Sequence, residues 1–259
     1  MNQTERRIFL INRLLDENYE YGEVEIPVDE ASQKRLLRGL MNVRMPGLID
    51  EEFLKVQDEY LKEASLEKGV VTVDDIAFND EGIGIWQGDI TRLSLDAIVN
   101  AANSGMTGCY VPNHTCIDNC IHTFAGVQLR YECSEIMKAQ GFEEPTGQAK
   151  ITKGYNLPAR YVLHTVGPIV QGRVTKEDES LLSSCYASCL ELAAENKLNS
   201  IVFCCISTGV FHFPNERAAE IAVATVRKFL EKETSVKKVV FNVFKDKDLA
   251  IYSNLLLKC

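Results

Sequence analysis

Cys109, His114 and Cys116 place two thiols and an imidazole within eight residues. Donors of these types at this spacing can close three corners of a tetrahedral zinc site, leaving the fourth to water or a substrate oxygen. Three ligands are too few for a closed structural finger, and an open corner is what metal-assisted catalysis needs. Two further groups follow in Ile117-Asp118-Asn119-Cys120-Ile121-His122. There Cys120 reads as a thiol on a helical face and His122 as a satisfied imidazole. His164 and His212 have no ligand-spaced partner and are read as structural. Asp118, two residues past the third donor, is the nearest acid. It can orient a water or a hydroxyl, or it can simply stabilise the first turn of the helix that Cys116 opens.

Such a loop has to be held by a folded scaffold, and the composition describes one. The chain has 259 residues, 46% hydrophobic and 25% charged, enough for one full core and an extension. A formal charge of −9 argues against a broad contact with nucleic acid or an anionic membrane, while leaving room for a local basic pocket. No apolar run approaches a membrane span, and Met1 to Leu14 mixes charges into its hydrophobics, so neither a span nor a signal peptide is expected. The expected location is the cytoplasm and the default state a monomer. Nine cysteines, an odd count with Cys204 and Cys205 adjacent, do not form a secreted disulfide framework and suit a reducing compartment.

The first seventy residues have helical texture. Phe53, Val56, Tyr60 and Leu61 share a face, and a second candidate helix over Lys34 to Val43 is broken by Pro46-Gly47. This stretch, 1–70, reads as a helical annex, with the main domain over 71–259. From Val70 short β-rich runs alternate with amphipathic helices. Strands are predicted over Ile83 to Trp86, Ala97 to Asn100, Arg160 to Thr165, Ile201 to Ser207 and Lys238 to Val243. Helices are predicted over Thr115 to Gln140, Asp178 to Asn196, Asn215 to Glu233 and Asp246 to Leu257. This alternation implies an α/β fold, a mostly parallel or mixed sheet covered on both faces. The polar run from Gln171 to Glu179 is the candidate exposed insertion.

In such a sheet ligands bind beyond the carboxyl ends of the strands, and three of the loops there are unusual. Trp86-Gln87-Gly88-Asp89-Ile90-Thr91 couples a glycine to an acid, a pair that also serves as an ordinary Asx turn or helix cap. Asn100-Ala101-Ala102-Asn103-Ser104 runs a strand into small residues and amides that can cap the chain or bond a sugar hydroxyl. Ser207-Thr208-Gly209-Val210-Phe211 opens toward a helix beginning near Pro214, where backbone amides suit a phosphate.

Together these three loops, in this order, resemble those of the macrodomain, the ADP-ribose-binding module, over about Ile83 to the C-terminus. The segment from Gly108 to His122 stands where most hydrolytic macrodomains carry a glycine run. It resembles the zinc-dependent microbial subgroup, which removes ADP-ribose from modified proteins and also carries an N-terminal helical extension. The resemblance implies a three-layer α/β/α fold with a mixed sheet of about six strands. It implies that Asp89 accepts from the adenine amino group with the Ile90 amide nearby, and that the Phe244 ring packs on adenine. It further implies that Ser207, Thr208, Gly209, Val210 and Phe211 hold the diphosphate, that Asn103 reaches the distal ribose, and that Cys109, His114 and Cys116 hold Zn2+.

The implied activity is a glycosidase-type, zinc-dependent hydrolysis of mono-ADP-ribose from protein side chains, with acidic residues the first choice and Asn103 and Asp118 at the reaction. The implied partners are ADP-ribose and mono-ADP-ribosylated protein. By resemblance alone a sirtuin-like ADP-ribosyltransferase and a lipoylated carrier protein join them. The alternative is a non-catalytic reader of ADP-ribose whose zinc is structural or redox-sensitive.

Overall fold

The computed structural model describes residues 1–17 and 24–257. The N-terminal annex is three helices, each opened by a polar cap. Asn2 forms a capping box at α1 (Gln3–Asp16), Asp29 accepts from Ser32 at α2 (Glu30–Val43), and Asp50 accepts from Phe53 at α3 (Glu51–Lys68). Phe53, Val56, Tyr60 and Leu61 are buried together as their spacing predicts. They pack with Leu10, Ile11, Leu14, Leu37, Leu40 and Met41 in a cluster of their own, which Val127 joins from the rest of the chain. Gly69, at φ +81°, a backbone conformation that favours glycine, ends α3.

The remainder is built on a sheet. β1 (Val71–Thr72) leads to β2 (Ile83–Gln87), and β3 (Leu93–Ser94) returns to pair in parallel with β1. β4 (Ala97–Ala102) feeds the loop 103–116, followed by α4 (Ile117–Ala125) and α5 (Val127–Gln140). Then come β5 (Ala149–Lys153), β6 (Tyr161–Val166), α6 (Lys176–Glu195), β7 (Ser200–Phe203), α7 (Asn215–Leu230), β8 (Lys238–Val243) and α8 (Asp246–Leu257). The six-stranded order is β2-β8-β7-β4-β6-β5, all parallel except the edge strand β5, which runs antiparallel to β6. Val99, Val162, Leu163, Ile201, Val202, Val239 and Val240 are fully buried, as expected of strands covered on both faces. Among the described residues no helix is long and apolar enough to cross a membrane.

Three boundaries differ from the sequence reading. The helix expected over Thr115 to Gln140 starts at Ile117 and breaks at Gly126, whose φ is +99°. A Cβ there would lie 2.7 Å from both Gln57 Nε2 and Gln128 Oε1, so the break is where the annex docks. The strand expected to reach Ser207 stops at Phe203, because the chain turns at once: the Ile206 amide donates back to the Cys204 carbonyl at 2.9 Å, and Ser207 adopts φ +64°. The polar run from Gln171 to Glu179 is exposed over most of its length, as expected, but it is an insertion only as far as Val174. Thr175 and Asp178 then form a capping box that commits the rest to α6.

Candidate functional site

The parallel strands all end on one edge of the sheet, and every loop singled out in the sequence leaves from that edge. Asp89 follows β2. Its Oδ1 accepts from the Thr91 amide (3.0 Å) and hydroxyl (2.7 Å), so it caps the short 3-10 turn Ile90–Arg92. Its Oδ2 faces Lys68 Nζ at 3.5 Å, which joins the end of α3 to this loop. Phe244, just past β8, is 76% exposed, an aromatic ring offered to solvent at the same edge.

The loop after β7 is shaped for an anion. Ser207 is buried with positive φ, and Gly167 faces it so closely that a Cβ would lie 2.1 Å from Ser207 Oγ. Thr208 Oγ1 donates to the Cys205 carbonyl, the Phe213 amide to the Ser207 carbonyl and the Val170 amide to the Phe211 carbonyl. The amides of Gly209, Val210 and Phe211 make no hydrogen bond among the described residues, leaving consecutive N–H groups free for phosphate oxygens. His212, exposed with φ +58°, stands at the end of this turn.

In the loop after β4, Cys109 Sγ lies 3.5 Å from His114 Nδ1. One donor atom from each of Cys109, His114 and Cys116 falls within 4.8 Å of the others. Two sulfurs and one imidazole nitrogen gathered this closely suit zinc. Cys116 is the N-cap of α4, its Sγ accepting from the Asn119 amide at 3.4 Å. Burial, with Cys109 and Asp118 alongside, pushes the Cys116 thiol up to about 12. Burial thus disfavours the thiolate, and a bound cation is what would draw its proton off.

Asp118 sits in the first turn of α4, two residues past Cys116, almost wholly buried, and burial pushes its carboxyl up to about 6. Asn100 Nδ2 donates to its Oδ1 (2.8 Å) and Asn103 Nδ2 approaches its Oδ2 (3.3 Å). Asn103 Nδ2 also donates to the Gly108 carbonyl at 3.1 Å, so the exposed amide ties the carboxylate to the residue preceding Cys109.

The surroundings correct one reading and extend another. His122 is buried with both ring nitrogens unpartnered, so it is not a satisfied imidazole. Its ring lies under Gly108, where a Cβ would come within 2.8 Å, and its Nε2 is 3.6 Å from Asp118 Oδ1. His164 is structural: Asn100 Nδ2 donates to its Nδ1 (3.2 Å), which leaves Nε2–H for Thr152 Oγ1 at 2.9 Å. Asn119 went unnoticed in the sequence, yet it is fully buried and its Nδ2 donates to the carbonyls of Cys109 (3.2 Å) and Val111 (3.0 Å). Asn100 was seen only as part of a loop motif, and an amide inside an otherwise apolar strand was the signal for its role.

A mixed sheet between helices, with an anion-binding turn and a polar loop both leaving its carboxyl edge, is the arrangement of the macrodomain class. The Macro domain model matches residues 99–222. A protein-ADP-ribose hydrolase of Treponema medium is 60% identical over 99% of this chain and 100% of its own length. A Trypanosoma brucei macrodomain solved in complex with ADP-ribose is 34% identical, with TM-score 0.65, over 81% of this chain and 92% of that one. An Oceanobacillus iheyensis macrodomain mutant solved with ADPR is 40% identical, with TM-score 0.63, over 70% of this chain and 95% of that one. The chain belongs to the macrodomain family.

Proposed function

We propose that this protein is a zinc-dependent ADP-ribosylhydrolase that removes mono-ADP-ribose from acidic side chains of modified proteins. The likeness to the Treponema medium hydrolase supports hydrolysis of protein-linked ADP-ribose, and the ADP-ribose-bound relative supports the ligand. The observation that carries the metal is the convergence of the Cys109, His114 and Cys116 donors beside the Asn103–Asp118 pair.

In this reading Asp89 Oδ2 accepts from the adenine amino group, Phe244 packs on the ring, and the Gly209, Val210 and Phe211 amides take the diphosphate. Fixing the diphosphate bends the distal ribose toward Asn103 and brings its anomeric carbon to the donor loop. When bound, zinc supplies Lewis-acid polarisation of an oxygen at the open corner, weakened because two thiolates and a neutral imidazole cancel its charge. Asp118 therefore assists, orienting a water and accepting its proton. The water oxygen bonds to the anomeric carbon, the bond from that carbon to the carboxylate oxygen breaks, and the side-chain carboxylate leaves with the electron pair. A carboxylate is a good leaving group and demands little acid assistance.

The test compares two variants. Cys116→Ala should lose both bound zinc and turnover, whereas Asp118→Asn should keep zinc while kcat falls by about 10² to 10⁴. Full turnover in Cys116→Ala would refute the metal mechanism.

A further inference from the structure

Helix α2 of the annex lies directly against the donor loop, and its contacts fall on the residues between the donors. Arg38 Nη2 donates to the His114 carbonyl (2.8 Å) and to Asn119 Oδ1 (3.1 Å), with Cys120 Sγ 3.4 Å away. Asn119 in turn holds the carbonyls of Cys109 and Val111, so one guanidinium is linked to the backbone of two of the three candidate ligands. One turn on, the fully buried Asn42 accepts from the Asn113 amide at 2.9 Å and donates to Thr123 Oγ1 of α4 at 2.8 Å.

Between them stands Gly39, in the interior of a helix where glycine is the poorest residue short of proline. A Cβ at this position would lie 3.1 Å from Asn113 Nδ2 and 3.9 Å from Pro112 Cβ. The missing side chain leaves room for the Asn113 side chain against α2, and a larger residue there has to displace it. Asn113 itself has φ +57°, a left-handed turn immediately before His114. Arg130 of α5 completes the clamp. Its Nη1 donates to the carbonyls of Met41, Asn42 and Arg44 at the end of α2, and its guanidinium lies 4.3 Å from the ring centroid of Tyr110 in the loop.

We propose that α2 is the outer shell of the metal site: Arg38, Gly39 and Asn42 fix the spacing of Cys109, His114 and Cys116, and the annex thereby sets how tightly the loop takes zinc. This rests on the zinc reading above. Arg38 is a positioning residue. It acts through the backbone of His114 and the side chain of Asn119 and touches neither metal nor substrate. Replacing outer-shell hydrogen bonds of this kind typically costs 10- to 100-fold in metal affinity.

The experiment measures zinc affinity of the full chain by competition with a chromophoric chelator, alongside the melting midpoint of the metal-free protein. Wild type should take one zinc ion. Arg38→Met should lower the affinity about tenfold or more, with Arg38→Lys recovering part of the loss and the metal-free melting midpoint holding near wild type. Gly39→Val, which pushes Asn113 away and leaves every donor in place, should lower the affinity as well. If wild type binds one zinc ion and Arg38→Met and Gly39→Val bind it within twofold of wild type, the inference is overturned while the zinc reading stands. Lower metal-free melting midpoints with unchanged zinc affinity would likewise overturn it, making α2 a brace of the fold alone. If wild type takes no zinc, the reading and the inference fall together.

Discussion

Asn100 Nδ2 stands 2.8 Å from Asp118 Oδ1, so a fully buried strand residue donates to a buried carboxylate on the first turn of α4. The same amide group reaches His164 Nδ1, which makes Asn100 the joint between the sheet interior and the reactive edge. Removing the amide leaves the carboxylate without its shortest donor. Asn100→Ala should cost about 2 kcal/mol, the range for a buried charged group losing its partner. A fall in the urea midpoint at constant slope measures it, and an unchanged midpoint would show that Asp118 does not depend on this bond.

Acid should destabilise the protein through its buried imidazoles. Burial holds His164 down at about 3 and His122 well below its ordinary range. Unfolded, both rings take up a proton near 6.5. Between those limits the unfolded chain binds more protons than the folded one, so the contribution is complete above pH 6.5 and is lost as the pH falls. For His164 alone the loss from pH 6.5 to 4.5 is about 2 to 3 kcal/mol. Urea titrations at the two pH values should show a shallower pH slope for His164→Gln than for wild type. Equal slopes would assign the acid sensitivity to other groups.

The sheet was legible because its strands are short apolar runs rich in Val and Ile, and the three ligand loops because glycine, amides and an acid follow those runs directly. β5 was missed: this edge strand carries Lys150 and Lys153 three residues apart, on opposite faces, so it shows no alternation and reads as loop. Gly126 gave little warning, because two of the three groups that crowd it, Gln57 and Asn156, are far away in sequence. The donor triplet was visible from its spacing alone. The framework that holds it was not, since Arg38 and Asn42 reach the loop from more than seventy residues away, and His122 looked like any core histidine until its nitrogens were found unpaired.

Asp89 has one oxygen committed to capping, and the other faces Lys68 Nζ at 3.5 Å at a surface where a ligand can reach it. Asparagine is an equally good cap, so Asp89→Asn should keep the 3-10 turn and lose only the negative acceptor. ADP-ribose should bind about tenfold more weakly, the scale of one hydrogen bond to a charged group, with stability within about 0.5 kcal/mol of wild type. Calorimetric titration reads the affinity. Unaltered binding would remove Asp89 from the adenine contact.

The anion-binding turn depends on the absence of a side chain opposite it. Gly167→Ala would put a Cβ 2.1 Å from Ser207 Oγ and 2.8 Å from Ile206 Cγ2, forcing the turn to move. Overpacking of this kind costs about 1 to 3 kcal/mol, which predicts a loss of roughly tenfold or more in affinity for both ADP-ribose and ADP. Undiminished binding of either nucleotide would mean that the diphosphate does not use this loop.

Release of free ADP-ribose from a protein mono-ADP-ribosylated on acidic side chains, measured with the zinc-loaded enzyme and with the same enzyme stripped by a chelator, bears most directly on the proposed chemistry. Rapid release by the loaded form, its loss on stripping and its return on adding zinc are the predicted results. Equal release by the stripped form, with zinc absent from the protein by direct metal analysis, would contradict it.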